Sequence, residues 1–414
     1  MSSIGLARPA IRVKNRLIFP GFSAESTRGG RNIPRGRSAP CLRTSWCTEK
    51  DELVKRNAWP WAVLALLLIS VTAPAGMLCT HGDLNRLNRR LHGQIVDYTH
   101  NHGADRRIWS PALCEKRDLY VYLPPCYDPG QQYPFILWLH GYAQDEHAFL
   151  EYVVEPLDQA ISCGQLPPLI VAAPDGSLTG TARYLKAGSF FLNNKAGRFE
   201  DFIMQDVWNF VTVSYPIRPE REAHVLAGAS MGGGAAYNLS IKYRDRVKHV
   251  IGIFPPLNLR WLDCHCKYMR PFDPCCWGWR TDFSRRCEVV GRFYVVIAIR
   301  LRRIFDDLYD IGPETAAQVS WENPIEMIDR LSLQEGELNM YIAYGGRDQF
   351  NINAQVESFL YRAGQRGLTV AVDYDPKGKH DSRTALRMFP ATVAWLAPLL
   401  APYSPGPVRD SAAP

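Results

Sequence analysis

The sequence predicts an α/β fold, a mostly parallel sheet covered by helices on both faces. Two observations carry this. Short continuous apolar runs, such as FILWLHG at 135–141 and PLIVAAPDG after it, read as strands buried on both sides. Between them lie longer stretches with apolar residues at helical spacing, so strands alternate with helices and neighbouring strands run parallel.

The elements follow in order from about residue 93. QIVDY and RRIWS read as short strands, and DLYVYLP alternates well enough to be a third. After FILWLHG, residues 145–162 place Phe149, Val153, Leu157 and Ile161 at every fourth position, which predicts a helix. PLIVAAPDG is a strand closed by an ordinary turn at Asp175-Gly176. FEDFIMQDVWNFVTVSY brings Phe202, Val207, Phe210 and Val211 near one helical face. HVLAG is a strand, SMGGGAAYNLSIKY a helix and HVIGIFP a strand. LNMYIAYGG is a strand again, residues 353–365 are helical, TVAVDYD is a strand, and Ser382–Leu400 is the last helix.

The flanks differ in kind. The chain has 414 residues, 46% of them hydrophobic, which excludes a wholly disordered protein. Its net charge of +7 is concentrated before residue 60. Residues 1–54 are rich in Arg, Gly, Ser and Pro without apolar periodicity, and are expected to be disordered or absent from the mature protein. The alternative is a basic arm for nucleic acid; no aromatic-interleaved or helical basic motif supports it, so no nucleic-acid partner is expected. Residues 55–80 begin with Lys55-Arg56, stay uncharged from 57 to 80 and offer Ala73-Pro74-Ala75 as a cleavage site. That layout is a secretory signal, with an uncleaved anchor tethering the protein to a membrane through residues 57–80 as the alternative and a lipid-modified Cys79 as a third. With no Met between Met1 and Met77, initiation near Val54 is expected. Every variant places the folded part outside the cytoplasm. Residues 81–92 read as a linker and 403–414 as a flexible tail.

Eleven cysteines suit an oxidising compartment. The dense group Cys264, Cys266, Cys275 and Cys276, with Cys287 beyond it, lacks the C-x2-C spacing of zinc sites and is expected to form a disulfide-stapled loop. Cys114 and Cys126 flank DLYVYLPP. At ~3.3 Å per residue an extended segment holds their Cα atoms far beyond the ~4.4–6.8 Å a disulfide spans. His100 and His102 are expected to be solvated loop residues with no carboxylate cluster nearby, and neither metal nor cofactor is expected.

A parallel sheet presents ligands to the C-terminal ends of its strands. Four such ends carry chemistry. His140-Gly141-Tyr142 ends one, Ser230 another, Asp348 follows LNMYIAYGGR, and His380 follows TVAVDYD. HVLAGASMGGGAA contains G-x-S-x-G between a strand and a helix, where a strained turn lifts the hydroxyl clear of the backbone. Gly228 and Gly232 are required where strand and helix approach too closely for a side chain. A serine needs a base and the base needs an orienting carboxylate, which assigns Ser230 as nucleophile, His380 as base and Asp348 as its partner. The order Ser, Asp, His is that of α/β-hydrolases. The backbone N–H groups of Met231 and Tyr142 are the expected oxyanion donors, while His140 shapes the turn before the second of them. Asp373 and Asp375 are rival carboxylates within the strand preceding His380. Trp277 and Trp279 are read equally as lid aromatics or as core.

At these residues the chain resembles the putative-esterase family of α/β-hydrolases, which holds esterase D (S-formylglutathione hydrolase), feruloyl and acetylxylan esterases, enterochelin esterases and the mycolyltransferases. The resemblance runs through VYLPPCYDPGQQYPFILWLHGY, the stretch from GRFEDF to RDRVKHV, YIAYGGRDQF and GKHDSRTALRMFPATVAWL, covering 93–402 except about 257–335. It implies the same roles for Ser230, Asp348 and His380. Cys126 stands where relatives commonly carry Gly, and the tryptophan usual beside Asp381 is absent. The cysteine-rich insertion at about 257–335 leaves and rejoins the sheet near the catalytic edge, so it is expected to be a lid or one wall of the acyl pocket. Its run VGRFYVVIAIRLRRIF reads as an apolar, basic helix packed on the core, with a membrane-surface helix as the alternative.

The expected activity is hydrolysis of a small or polysaccharide-linked ester or thioester through an acyl-enzyme. The alternatives are an acyltransferase using the same three residues with a sugar or lipid hydroxyl, and a non-catalytic carbohydrate- or surface-binding module.

Overall fold

The computed structural model describes residues 81–182, 188–293 and 297–406. The basic segment 1–54, the apolar segment 55–80 and residues 407–414 of the tail lie outside the described residues. Residues 81–92, expected as a linker, contain the helix His81–Asn88, and Leu84 within it is buried.

The apolar runs build one eight-stranded sheet. Its strands are β1 (Gln94–Tyr98), β2 (Leu119–Leu123), β3 (Phe135–Leu139), β4 (Ile170–Pro174), β5 (His224–Ala229), β6 (His249–Ile253), β7 (Asn339–Gly345) and β8 (Val370–Asp375). Their order across the sheet is β1-β2-β4-β3-β5-β6-β7-β8. β2 runs antiparallel to both its neighbours and the remaining pairings are parallel. This is the α/β-hydrolase fold. β2, β4 and β6 are buried at every residue, as strands covered by helices on both faces must be, while the edge strand β8 is half-buried throughout.

The helices fall where periodicity puts them, with local differences. The predicted helix over 145–162 is two, His147–Tyr152 and Val154–Ser162, interrupted at Val153, whose φ is stretched to −117°. The helix from Phe199 to Ser214 has a π-helical stretch at Phe202–Val207. RRIWS is not part of the main sheet. Ile108–Ser110 pairs with Glu115–Arg117 in a separate small hairpin.

The insertion departs most from expectation. VGRFYVVIAIRLRRIF is not one helix: Val289–Phe293 pairs antiparallel with Ile297–Arg300, and only Leu301–Phe305 is helical. β-branched and aromatic side chains favour the extended pairing. A second hairpin pairs Trp261–Asp263 with Trp277–Trp279. The Cys264–Cys276 disulfide staples the base of its connecting loop, next to the Asp263–Trp277 pair, at a Cα separation of 4.8 Å. Cys266 is also disulfide-bonded, whereas Cys275 and Cys287 are free and exposed. Cys114 and Cys126 are both free.

Candidate active site

β5 ends at Ala229 and the helix Met231–Lys242 starts one residue after Ser230, so the serine is the whole of the turn. It takes φ +53° and ψ −119°, a region that side-chain-bearing residues seldom occupy. Two glycines permit the elbow. A Cβ on Gly232 would lie 2.0 Å from the Leu139 carbonyl oxygen, and one on Gly228 would lie 2.4 Å from the Gly232 carbonyl. The turn is pinned by the Ser230 N–H donating to the Ile253 carbonyl at 2.7 Å. Three consecutive glycines are poor helix formers; close packing, such as Gly234 against Pro256, requires them.

Asp348 and His380 come from the loops after β7 and β8. Those strands are parallel neighbours, so their following loops lie side by side. The His380 Nδ1 is 2.8 Å from the Asp348 Oδ2, and the other carboxylate oxygen accepts the Phe350 N–H at 2.8 Å. Gln349 clamps the histidine's backbone twice, accepting its N–H and donating to its carbonyl, both at 3.2 Å. The imidazole ring sits between Phe254 and Phe350, at centroid distances of 5.0 and 4.9 Å. The rival Asp373 lies instead 3.5 Å from the Tyr341 hydroxyl, and Asp375 pairs with Arg387 at 2.7 Å.

Ser230, Met231, Tyr142 and His380 line one cavity of about 400 Å³. The loop bearing Tyr142 is braced by Gln144, whose side chain accepts the Gly141 N–H at 2.9 Å. The Tyr142 hydroxyl donates to the Arg303 carbonyl of the insertion, and burial raises it to about 12. His140 is fully buried. Its Nδ1–H donates to the Gly141 carbonyl, and its Nε2 accepts the Gly176 N–H at 2.8 Å. Burial depresses its affinity for a second proton, so it is a neutral brace for this turn.

The insertion supplies a wall of the cavity through Tyr268, Arg280, Val290 and Ile299. Trp277 and Trp279 are not among the lining residues; their rings pack on each other at 5.0 Å.

Two expectations near His140 are corrected. Asp175 is no ordinary turn residue: it is fully buried and paired with Arg117 at 2.9 Å. His100 and His102 do have a carboxylate cluster beside them, since Asp118, Glu146 and Asp175 bring their oxygens within 4.8 Å of one another. His100 Nδ1 lies 2.9 Å from Asp118, and His102 is buried with Nε2 2.8 Å from the Tyr120 hydroxyl. Burial and the nearby Asp145, Asp175 and Asp118 push the Glu146 carboxyl well up, towards its protonated form. The partners on this cluster come from distant parts of the chain, which is why local reading missed it.

Sequence reasoning also missed Phe254, Phe350, Arg280 and Tyr268. Phe350 was findable, because it lies two residues after Asp348, whereas Phe254 follows the end of β6, where no residue had been singled out for chemistry. Arg280 and Tyr268 sit in the insertion, where no periodicity marks them.

The family model described as "Putative esterase" matches residues 110–395. Among solved structures, a ferulic acid esterase superposes with a TM-score of 0.53 at 14% identity, covering 75% of this chain and 99% of that one. The S-formylglutathione hydrolase of Agrobacterium tumefaciens gives 0.52 at 14% identity, covering 75% and 96%. The fluorophosphonate-binding serine hydrolase F of Staphylococcus aureus gives 0.51 at 14% identity, covering 74% and 98%. At such identities these likenesses establish the fold.

Proposed function

The chain belongs to the putative-esterase family and is a carboxylic ester hydrolase, and from that premise we propose that it works through Ser230, His380 and Asp348 by an acyl-enzyme mechanism. The observation that carries this reading is the 2.8 Å contact between His380 Nδ1 and the buried Asp348 carboxylate, with a serine held at φ +53° lining the same cavity as the histidine. With Nδ1 committed to Asp348, Nε2 is the nitrogen that takes the Ser230 proton. The Oγ–carbon bond forms and the oxyanion develops against the Met231 and Tyr142 N–H groups. The ester C–O bond then breaks, and the departing oxygen receives the proton from His380. Water, deprotonated by the same imidazole, releases the acid and restores the serine.

A non-catalytic binding role has no use for the clamped His380–Asp348 pair. An acyltransferase would run the same first half-reaction and differ only in its acceptor. The Cys264–Cys276 disulfide supports an extracytoplasmic location, with residues 57–80 as signal or tether. The helix Ser382–Tyr403 is also long and apolar enough to cross a membrane. It instead packs on the sheet, with Trp395 against Tyr341 at 5.1 Å.

The test is turnover of p-nitrophenyl acetate by the wild type and by Ser230→Ala, with and without glycerol as competing acceptor. Loss of turnover in the variant, and acid as the main wild-type product, is the expected result. Turnover that survives the substitution overturns the assignment, and acyl-glycerol as the main product makes the protein a transferase.

A further inference from the structure

The cavity does not end at the nucleophile. It runs on beneath Ser230 along one face of the sheet, with Ile136, Val171, Ala227 and Ile251 in its lining. These four share that face. Ile136 is the register partner of Val171, and Ile251 of Ala227. Trp138, two residues along β3 from Ile136, is also a partner of Ala227. Residues opposite one another in a ladder, and residues two apart along a strand, point to the same side.

Helices cover the floor. Leu157 of Val154–Ser162 and Leu396 of Ser382–Leu400 line the cavity from above. Trp395 confirms the second placement, because its ring packs against Tyr341, the register partner of Ile251. Ala227 presents only a methyl group to the cavity on this face. Ala385 and Leu396 both line the cavity, and at ~1.5 Å per residue they stand ~16 Å apart along the helix axis.

The chemistry of these walls is apolar, aliphatic with a few aromatic rings. The charged side chains of the lining, Arg280 and Asp381, come from the insertion and from the loop after β8. Thr392 gives its hydroxyl proton to the Met388 carbonyl at 3.2 Å and asks nothing of a ligand. Trp138 Nε1, which has no partner among the described residues, is the polar exception on the floor. A narrow apolar space of this kind favours an apolar occupant over water. A bilayer's hydrocarbon core of about 30 Å is two acyl chains deep, so a channel of ~16 Å matches one fatty acyl chain.

We propose that this channel takes the acyl group of the substrate, so that the substrates are esters of unbranched long-chain acids. The chain lies between the sheet and the helices Val154–Ser162 and Ser382–Leu400 while the carbonyl carbon rests at Ser230. The inference rests on Ser230 as the nucleophile and adds the substrate class to that reading.

The test is a p-nitrophenyl ester series from acetate to hexadecanoate. For the wild type, kcat/KM climbs about fourfold per methylene, the ratio that corresponds to burying each one, and turns over at about twelve carbons. Ala227→Leu plugs the channel below the nucleophile, and the dodecanoate-to-acetate ratio of kcat/KM falls at least a hundredfold. That ratio is insensitive to the fraction of folded enzyme. Should Ala227→Leu give no folded protein, Val393→Phe narrows the channel from the helix side and is read by the same ratio. Dodecanoate titrated into Ser230→Ala binds with one molecule per chain. Acetate turnover with no gain beyond butyrate, an unchanged ratio in the plugged variant, or no dodecanoate binding overturns the channel and leaves the nucleophile standing. A wild type that turns over no ester of any length overturns the nucleophile itself.

Discussion

His380 Nδ1 and Asp348 Oδ2 lie 2.8 Å apart, with the carboxylate side chain wholly buried and the imidazole 13% exposed. The Nδ1 edge of the ring is thereby held by a shielded anion, and the residue also lines the cavity. Gln349 holds the histidine's backbone in register with its own neighbour, Asp348. The orientation is therefore built from two adjacent residues and does not depend on substrate.

Asp348→Asn tests that orientation. The amide preserves shape but no longer supplies the anion that selects the Nδ1–H tautomer. A fall in kcat of about ten-thousand-fold is expected. A thermal melt within a few degrees of wild type would show that the loss is chemical. A fall of less than tenfold would mean that Asp348 does not orient the base.

Two glycines, one in the elbow and one in the helix Ile352–Gln365, give predictions of opposite kinds. Gly232→Ala places a Cβ 2.0 Å from the Leu139 carbonyl oxygen, so strand and helix must separate. Activity is expected to fall more than a hundredfold, with a lower melting temperature. Gly364 lies in the helix Ile352–Gln365, and a Cβ there meets nothing within 4 Å. Gly364→Ala is expected to stabilise by ~0.5–1 kcal/mol through helix propensity alone. Urea denaturation of both variants checks the contrast.

The pH dependence of stability is expected to carry the signature of His249. Burial lowers this imidazole to about 4 from its ordinary 6.5. Its Nε2–H donates to the Glu222 carbonyl and its Nδ1 accepts from the Asn339 amide, an arrangement suited to the neutral ring. Above pH 6.5 neither state is protonated and the full stability is present. As pH falls from 6.5 to 4 the unfolded chain takes the proton and the folded one does not. About 3 kcal/mol is lost across that window, and none further below it. His249→Gln keeps both hydrogen-bonding partners without the titration. The difference in unfolding free energy between wild type and variant should change by about that amount between pH 7 and pH 4. A pH-independent difference would contradict it.

Much of this was legible in the sequence. The fully buried strands β2, β4 and β6 coincide with apolar runs, because burial on both faces leaves no room for carboxylate, Lys or Arg side chains there, and β6 carries only the imidazole of His249. Ser230, Asp348 and His380, the proposed catalytic residues, could be picked out because a parallel sheet presents its site at strand ends, and strand ends can be counted. The hairpin at Val289–Phe293 and Ile297–Arg300 was not legible. An apolar run punctuated by arginines satisfies helical amphipathicity and strand pairing alike, and only packing decides. The Arg117–Asp175 pair was hidden for another reason: its partners lie far apart in the chain, and a buried charge pair leaves no local period. The break at Val153 is a third kind, since the apolar spacing continues straight through it.

The central claim is that Ser230 is the activated nucleophile, and covalent labelling by a fluorophosphonate tests it most directly. Intact-mass and peptide analysis should find a single adduct, on Ser230, absent from Ser230→Ala and formed at least a hundredfold more slowly in His380→Ala. An unlabelled wild type, or an adduct on any other residue, would contradict the account.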